Sequence, residues 1–320
     1  MTFIIALILT ASAALFIRHR LQRKKKKDAR RKQERWSIGL YEGADPVTLI
    51  PMKEIVNPIL KPEDVTDINA RFIADPFMIM HNGEYWLFFE VMNSRRNKGE
   101  IGCARSFDLK KWNYHGIILR ERFHLSYPSV FEHEGKIYMV PECAKSNAVR
   151  LYRANTFPGD WQHETSLIKG NRHRLPLLDP SIFYHEGLWY LFTYRRKTQN
   201  LHLFTSPSLT GEWKEHPKSP VVNGSPHFAR PGGRIVKDCN QIYRFAQDGI
   251  PHYGSKAWGF RITELSENAY LEEQVPDGPV IQAGNEEWNN SGMHTVDAHQ
   301  QETGRWIAFV DGLEHKKNAK

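Results

Sequence analysis

The sequence predicts an all-β protein built as a five-bladed β-propeller, and three observations lead to this prediction. Segments of similar pattern recur along the chain, and Pro76, Pro128, Pro180 and Pro231 are spaced 52, 52 and 51 residues apart. Each repeat has room for four short strands separated by turns. The last repeat is incomplete, and strand-like residues at the other end of the chain can complete it. Self-similarity at a period near 50 residues, with four strands per repeat, is typical of propellers.

Each repeat begins with an apolar strand, a tight turn and a second strand rich in aromatic and β-branched residues. The turns are His81-Asn82-Gly83, His133-Glu134-Gly135, His185-Glu186-Gly187, Asp238-Cys239-Asn240 and Glu302-Thr303-Gly304. The second strands read EYWLFFE, KIYMVPE, LWYLFTY, QIYRFAQ and RWIAFVD. Gly or Asn between two such runs predicts a β-hairpin in every repeat. The fifth repeat is expected to start at Asp297-Ala298.

Third and fourth strands complete the first four repeats. The third strands are predicted at 100–106, 148–154, 201–207 and 257–263, and the fourth strands begin near Trp112, Trp161, Trp213 and Tyr270. The three tryptophans recur at the same point of the repeat. We expect each large ring to fill the space between neighbouring sheets rather than to bind a ligand.

The two ends of the chain are predicted to form the last blade together. The fifth repeat supplies two strands before the sequence ends at Lys320. The segment Trp36–Gly43 resembles the third strands, and Val47–Ile50 can supply a fourth. This N-terminal strand pair closes the ring and leaves no open strand edge. Helix is expected only within residues 2–30.

Residues 1–20 are predicted to form a membrane anchor, 21–35 a basic juxtamembrane linker and 36–320 the propeller domain. Sixteen uncharged residues, 2–17, would give roughly 24 Å of helix, somewhat short of a ~30 Å hydrocarbon core. A cleaved signal peptide is the alternative, but it should carry positive charge before its apolar core. Here eleven Lys/Arg follow, in residues 18–35.

The position of this charge predicts a single-pass membrane protein with the propeller on the cytoplasmic side. The basic run is also expected to hold the chain against anionic headgroups. A signal anchor of opposite orientation would expose the same domain outside, and the sequence does not decide between the two.

The globular part of the chain is close to neutral. The formal charge is +8, and residues 18–35 contribute +9, so residues 36–320 sum to about −1. A broad phosphate-binding face and a nucleic-acid partner are therefore not expected. Cys103, Cys143 and Cys239 have neither disulfide-framework nor zinc spacing.

Candidate site residues lie where the first strands start and the second strands end, because these positions meet at one rim of a propeller. The first-strand starts are Asp75, Tyr127, Asp179, Arg230 and Asp297, and the second-strand ends are Glu90, Glu142, Tyr194, Asp248 (or Gln247) and Asp311. Crowded carboxylates push their pKa values apart, which suits acid–base chemistry. Histidines of the same rim, His124, His227 and His294, complete a composition typical of a saccharide site.

The sequence resembles the five-bladed glycoside hydrolase superfamily that includes families 43, 32, 68 and 130. It is most similar to the N-terminal propeller domain of plant glucosamine inositolphosphorylceramide transferase and its bacterial relatives. The resemblance rests on RFIADPF, FFEVMN, GEIGCARS, HLSYPSVFEHEGKIYMVPE, VRLYRA, LLDPSIF, ARPGGRI, QIYRFAQD and MHTVDAH, which span roughly 36–313. In the plant protein a transferase domain follows the propeller, so no transferase activity is carried over to this chain.

The resemblance implies catalytic roles for three carboxylates. Family 43 hydrolases use an Asp opening blade one as base and an Asp opening blade three to orient and tune, which Asp75 and Asp179 match. Their acid is a Glu in blade four, where this chain has Ala229-Arg230-Pro231. Glu142 is then the expected acid, with Glu90 next. The residues expected to contact substrate are Glu90, His124, Tyr127, His227, Arg230, Asp248, His294 and Asp297.

Several interpretations stay open from the sequence. A glycan or glycolipid is the expected partner, either of a glycosidase-like enzyme or of a non-catalytic saccharide-binding module in polysaccharide or glycolipid biosynthesis; a scaffold with an empty funnel is a third. Asp before Pro can simply cap a turn, and Arg230 can form a salt bridge with Asp179 or Asp297. No cofactor or metal is expected, because His294, Asp297 and His299 do not make a full ligand set.

Overall fold

The computed structural model describes residue 18 and residues 34–170, 176–275 and 277–315. One compact unit, Arg35–Glu314, holds five antiparallel β-sheets, which confirms the five-bladed propeller. The other unit, Met1–Glu34 with His315–Lys320, is described only at residues 18, 34 and 315. The predicted anchor and most of the predicted linker therefore lie outside the described residues. Within the described part of the chain, no helix is long and apolar enough to cross a membrane.

The strands follow the predicted repeat. The chain begins with β1 (Arg35–Gly43) and β2 (Leu49–Pro51). Blade one contains β3 (Ala70–His81), β4 (Glu84–Asn93), β5 (Lys98–Ser106) and β6 (Asn113–Leu119). Blade two contains β7 (Ser126–His133), β8 (Lys136–Glu142), β9 (Ala148–Ala154) and β10 (Trp161–Lys169). Blade three contains β11 (Leu178–His185), β12 (Leu188–Arg195), β13 (Asn200–Ser206) and β14 (Lys214–Glu215).

Blade four is less regular, and blade five is shared between the chain ends. Blade four contains β15 (Arg230–Pro231), β16 (Val236–Asp238), β17 (Gln241–Gln247), β18 (Lys256–Leu265), β19 (Tyr270–Gln274) and β20 (Ile281–Gln282). Blade five adds β21 (Val296–Gln300) and β22 (Trp306–Glu314). Its strand order is β2-β1-β22-β21, and Arg35 pairs with Glu314. The prediction that an N-terminal strand pair closes the last blade is therefore confirmed.

The predicted hairpin turns are present in the first three blades as two-residue loops. Between β3 and β4, Asn82 and Gly83 both have left-handed backbone conformations, with φ of 51° and 77°. The corresponding Glu-Gly pairs of blades two and three do the same. Two consecutive left-handed residues give the turn whose twist matches that of the flanking strands. These turns lie on one face of the ring, which we name the far face.

The three repeated tryptophans pack as predicted. Trp112 of blade one lies edge-on to Phe309 of blade five, with ring centroids 5.6 Å apart. Trp161 of blade two meets Phe88 of blade one at 5.8 Å, and Trp213 packs against the cluster between blades two and three. Each indole N–H donates to a backbone carbonyl three or four residues earlier. Their role is therefore to fill the gaps between sheets.

Outside the strands, the described residues contain three short 3₁₀ helices, Pro62–Asp64, Ala144–Ser146 and Glu287–Asn289. The first strand of blade four is split at Gly232-Gly233, where Gly233 has φ of 144° and bridges Val296 of blade five. A Cβ on Gly233 would lie 1.8 Å from the carbonyl oxygen of Val296. The close approach of two first strands in the channel therefore requires glycine at this position.

Candidate functional site

Three blades start with a left-handed residue directly before proline. Asp75, Tyr127 and Asp179 have φ of 53°, 48° and 50°, and each lies at a β-bulge in the pairing of its first and second strands. Such backbone strain in a non-glycine residue costs about 1–3 kcal/mol and is concentrated at functional sites. A bulge also changes the direction in which a side chain points. These starts lie on the face opposite the hairpin turns, which we name the mouth face.

Asp75 is buried at the start of blade one, and both of its oxygens are engaged. Its Oδ1 accepts a hydrogen bond from Thr295 Oγ1 at 3.0 Å and lies 3.3 Å from His294 Nε2. Its Oδ2 accepts from the backbone N–H of Tyr127 at 3.2 Å. Burial alone would raise the pKa of Asp75, but the hydrogen bond and charge of His294 outweigh burial and hold that pKa below its ordinary value. Asp75 is therefore the ionised carboxylate of the site.

His294 is enclosed between two carboxylates. Its Nδ1 lies 2.8 Å from Asp311 Oδ1, and its Nε2 faces both Asp75 and the Tyr253 hydroxyl, the latter at 3.0 Å. The Trp36 ring covers the imidazole at a centroid distance of 4.4 Å. Burial would lower the pKa of His294, but the negative charges of Asp311 and Asp75 raise it to about 10. The ring is therefore an imidazolium at neutral pH.

Glu142, at the end of β8, is buried and held by two donors. Ser126 Oγ donates to Oε2 at 3.1 Å, and the Ala144 backbone N–H donates to Oε1 at 2.9 Å. Burial, followed by repulsion from Asp179, raises the pKa of Glu142 to about 7. A carboxyl group with this pKa can both release and take up a proton near neutral pH.

Glu90, at the end of the second strand of blade one, is the least satisfied carboxyl group of the site. Its buried Oε1 has no hydrogen-bond partner among the described residues, and His124 Nε2 is 3.4 Å away without hydrogen-bond geometry. The Gly99 backbone N–H donates to His124 Nδ1, which leaves the proton of neutral His124 on Nε2, towards Glu90. Burial and the charges of Asp75 and Glu142 raise the pKa of Glu90 well above its ordinary value.

Asp179 and Arg230 form an ion pair between the starts of blades three and four. Gln247 Nε2 also donates to Asp179 Oδ2 at 3.0 Å. The guanidinium of Arg230 lies over the rings of Tyr253 and Tyr194, 4.8 and 5.9 Å from their centroids. Of the two partners that the sequence left open for a salt bridge, Asp179 is the one that Arg230 contacts. A contact between Arg230 and a ligand stays a prediction.

The electrostatic influences among these residues place them in one site. Asp75 and Glu142 both raise the pKa of Glu90, and Asp179 raises that of Glu142. Arg230 in turn acts on Asp75 and Glu142 by lowering their pKa values. The mouth face therefore brings together four of the predicted carboxylates with Arg230, His294 and His124. The four are Asp75, Glu90, Glu142 and Asp179.

Tyr127, the predicted rim aromatic, is fully buried with its hydroxyl directed into the channel. The hydroxyl lies 2.8 Å from Ser181 Oγ, donates to the Gly233 carbonyl at 2.8 Å and accepts from the Gly233 N–H at 2.6 Å. Its backbone N–H is the donor to Asp75 described above. Tyr127 therefore supports Asp75 through its backbone, while its side chain joins three blades.

Asp297 differs in position from the expectation. It pairs with Phe309, two residues before Asp311, so the blade-five residues equivalent to Asp75 are His294 and Thr295. Asp297 is fully buried and its oxygens are bonded to Arg234, His299 and the Met78 N–H. Because of these bonds, Asp297 is a structural link between blades. The expectation that blade five starts at Asp297 was wrong, because no proline marks the start of this blade.

His227 and Asp248 contact each other at the blade-four end of the mouth face. His227 Nδ1 lies 3.0 Å from both Asp248 oxygens, and Asp248 also accepts from Trp258 Nε1 and the Ile250 N–H. Asp248 thus organises the loop that carries Tyr253, while Gln247, the alternative second-strand end, contacts Asp179. A ligand role for His227, which is half-buried, stays a prediction.

Sequence reasoning missed several residues of the site, namely Tyr253, Thr295, Trp36 and Ser126. Tyr253 lies in an irregular loop and Trp36 comes from the first strand of the chain, so neither occupies the rim position of a repeat. Asp311 was recognised only as a strand end, whereas it also accepts the Asp75 N–H at 3.1 Å. Aligning MHTV with the Asp-Pro starts would have identified Thr295.

One group of side chains has metal-ligand geometry among the described residues. One ligand atom each from Asp75, His294 and Asp311 lies within 4.8 Å of the others. An imidazolium between two carboxylates accounts for this closeness, because both ring nitrogens of His294 already face a carboxylate oxygen. A metal would have to displace that proton-sharing arrangement.

The fold is similar to that of β-propellers found in solved glycoside hydrolases. Similar solved structures include a family 117 glycoside hydrolase of Zobellia galactanivorans (TM-score 0.55, 12% identity, 87% of this chain and 90% of that chain). An α-L-arabinofuranosidase of Clostridium thermocellum has a TM-score of 0.53 at 17% identity, covering 73% of this chain and 80% of its own. At these identities the likeness concerns the fold alone.

The sequence match is far closer to a second group of proteins. The model of the family "Glucosamine inositolphosphorylceramide transferase 1, N-terminal" matches residues 29–313, and the chain belongs to this family. Glucosamine inositolphosphorylceramide transferase 1 of Oryza sativa subsp. japonica is 36% identical over 300 residues, covering 87% of this chain, and the Arabidopsis thaliana protein is 34% identical with the same coverage. The chain spans about 40% of the length of these relatives.

Proposed function

We propose that this propeller binds a glycan, or the saccharide headgroup of a glycolipid, in its carboxylate-lined site and hydrolyses a glycosidic bond there. The observation that carries the proposal is the opposite shift of two pKa values. The pKa of Asp75 is held low by His294, whereas burial raises that of Glu142 to about 7. Two carboxyl groups in one site with separated pKa values supply a base and an acid at the same pH.

Each residue then has a defined role. Asp75 acts as base or nucleophile towards the sugar ring, and Glu142 protonates the leaving oxygen. Asp179 orients the substrate with Arg230, and His124 contacts it beside Glu90. The exposed part of the Tyr253 ring, 40% of the residue, offers an apolar surface for a sugar ring next to these polar groups.

A non-catalytic saccharide-binding module is the second candidate. The specific observation in its favour is Ala229, which stands where family 43 hydrolases carry their acid and precedes the Arg230 that is ion-paired with Asp179. In this case the same residues would hold a saccharide for a partner enzyme of polysaccharide or glycolipid biosynthesis. The relatives' name, glucosamine inositolphosphorylceramide transferase 1, is compatible with either role.

The two candidates are separated by measuring turnover and binding on the same panel. The full chain and its Glu142→Gln variant are incubated with neutral glycans, amino-sugar glycans and glycolipids, and reducing-sugar release and thermal shift are recorded. Hydrolysis that the variant lacks supports the enzyme. Ligand-dependent stabilisation of both proteins without turnover contradicts hydrolysis and supports the binding module.

Membrane anchorage through residues 1–20, with the ring on the cytoplasmic side, belongs to the same proposal. Its support is the uncharged run followed by eleven basic residues. Alkaline extraction of membranes and protease protection of a C-terminal tag test it. Release by alkali contradicts the anchor, and protection of the tag in right-side-out spheroplasts is the result expected for a cytoplasmic ring.

A further inference from the structure

The near-neutral sum of charges in the globular part conceals an uneven distribution between the two faces of the ring. On the mouth face, the loops of blades one to three lie between second and third strands and after the fourth strands. Their exposed cations without an ion-pair partner among the described residues form a basic crescent: Arg95, Arg122, Lys145, Lys169, Arg196 and Lys197. Arg95, Lys145 and Arg196 lie in loops that follow second strands, whose last residues include Glu90, Glu142 and Tyr194.

Acidic side chains do not neutralise the crescent within these described loops. Glu121 is half-buried and bound by Arg150 and Tyr152, at 3.5 and 2.8 Å, and Glu142 is buried in the site. Glu100 is fully buried and pairs with Arg96 and Arg120. The crescent therefore presents its positive charge to solvent.

The far face has the opposite character. Its turns and loops, with the strand residues that border them, contain ten acids and five bases: Asp45, Glu84, Asp108, Glu134, Asp160, Glu186, Glu212, Asp238, Glu267 and Glu302, against Lys110, Lys111, Lys136, Lys214 and Arg305. A flat anionic surface would attract the mouth face and repel the far face. At physiological salt this attraction acts over about 8 Å, so the ring must approach closely for it to matter.

The path of the chain indicates which anionic surface is involved. β1 begins at Arg35, which pairs with Glu314 at the mouth-face end of blade five. The chain therefore enters the propeller at this face, and the sequence before Arg35 includes the uncharged run and most of the basic run. A single-stranded nucleic acid partner would call for exposed aromatic rings to stack on bases, whereas Phe123, next to Arg122 in the sequence, is partly buried beneath Arg150.

We infer that the basic crescent docks the mouth face of the propeller on an anionic lipid bilayer, so that the carboxylate site opens towards the membrane surface. Blades one to three lie nearest the lipid, because the mouth-face loops of blades four and five carry more acids than bases, including Glu63, Asp277 and Glu287. A glycolipid headgroup could then enter the site without leaving its bilayer. Docking rests on the proposed membrane association but not on hydrolysis at Asp75.

The chain offers a natural pair of positions for testing this orientation. Cys239 is exposed on the far face, whereas Cys103 and Cys143 are buried, so a donor dye can be attached at Cys239. A second protein, Ser94→Cys with Cys239→Ser, carries the dye beside Arg95 on the mouth face. Strands of seven to ten residues separate the two positions by about 25 Å. Energy transfer to an acceptor lipid is measured with the full chain on vesicles containing 30% phosphatidylserine.

We expect strong transfer from position 94 and weak transfer from position 239. The triple change Arg95→Glu, Lys145→Glu and Arg196→Glu should abolish this difference, as should 0.5 M salt. The matched control, Lys111→Glu, Lys136→Glu and Lys214→Glu on the far face, changes the net charge equally and should preserve it. Thermal melting checks that all proteins are folded.

Three results would overturn the inference. Equal transfer from both positions means that the ring has no preferred face towards the lipid, and stronger transfer from position 239 means that it is inverted. A chain that stays off the vesicles but binds a 20-nucleotide RNA would make nucleic acid the partner of the crescent. If Asp75→Asn loses hydrolysis but keeps the difference in energy transfer between positions 94 and 239, the docking proposal still holds. The two proposals can therefore fail separately.

Discussion

Asp75 and His294 form an ion pair across the junction of the first and last blades, with Oδ1 and Nε2 3.3 Å apart. The two residues are far apart in sequence, and they meet because β1 and β22 close the ring beside β3. The ionised state of Asp75 depends on this contact. The acid–base properties of the site are therefore a consequence of ring closure, and the predictions below follow from it.

His294 should remain protonated at neutral pH. Its pKa is raised from 6.5 to about 10, so the stability it contributes is fully present below pH 6.5 and is lost as the pH rises through about 10. Ring ¹⁵N chemical shifts of labelled protein measure this directly. Asp311→Asn should lower the midpoint, and Asp277→Asn, at an exposed carboxylate, should not. A midpoint below pH 7 in the unmodified protein contradicts the assignment.

Glu142→Gln should change how stability depends on pH. The folded-state pKa of about 7 lies above the ordinary 4.5, so Glu142 contributes stability below pH 4.5 that is lost as the pH rises through about 7. A pKa raised from 4.5 to about 7 corresponds to ~3 kcal/mol. Denaturant unfolding at pH 5 and pH 8 should show the variant gaining stability relative to the wild type at pH 8. An unchanged difference between the two pH values would disprove the shift.

Arg230→Gln should destabilise the protein by about 3–5 kcal/mol, because it leaves the buried carboxylate of Asp179 without its cation. Asp179→Asn with Arg230→Gln should recover part of that loss. Arg261→Gln, which breaks an exposed pair with Glu273, is the control and should cost no more than about 1 kcal/mol. Strict additivity of the two changes in a double-mutant cycle would mean that the pair is not coupled.

Gly233→Ala should disrupt the channel. The added Cβ would meet the Val296 carbonyl at 1.8 Å, and φ of 144° is strained for any L side chain, so we expect a loss of at least about 3 kcal/mol. Gly159→Ala, with open space around its Cβ, should change stability by less than about 1 kcal/mol. Similar unfolding free energies for the two variants would show that the first strands of blades four and five do not approach as described.

The fold was predictable because the repeat is written in local signals. Proline at the blade starts, two-residue turns such as Asn82-Gly83 and the recurring tryptophans each specify a feature that depends on neighbouring residues. The closing strand Trp36–Gly43 could be identified because the fifth repeat lacked strands. Blade four was harder, since Gly232-Gly233 splits its first strand where two blades touch.

The site was predictable only in part. Asp75 and Asp179 recur at the first-strand starts and Glu142 at a second-strand end, so counting residues predicted their positions. His294 and Asp311 were also predicted at the rim, but their contacts with Asp75 cross from blade five to blade one. Contacts across blades depend on three-dimensional closure, which no local pattern encodes. Asp297 was predicted at the rim because no proline marks the start of blade five, and it lies at a link between blades.

The measurement that tests the central claim most directly compares the full chain with its Asp75→Asn variant, using Asp277→Asn as the matched control. Release of reducing sugar from glycans and glycolipids is followed between pH 5 and pH 9. We predict turnover in the wild type and the control that falls as Glu142 loses its proton near pH 7, and at least a 100-fold lower rate in Asp75→Asn. Turnover that persists in Asp75→Asn would contradict the role of Asp75 and, with it, the proposed hydrolytic site.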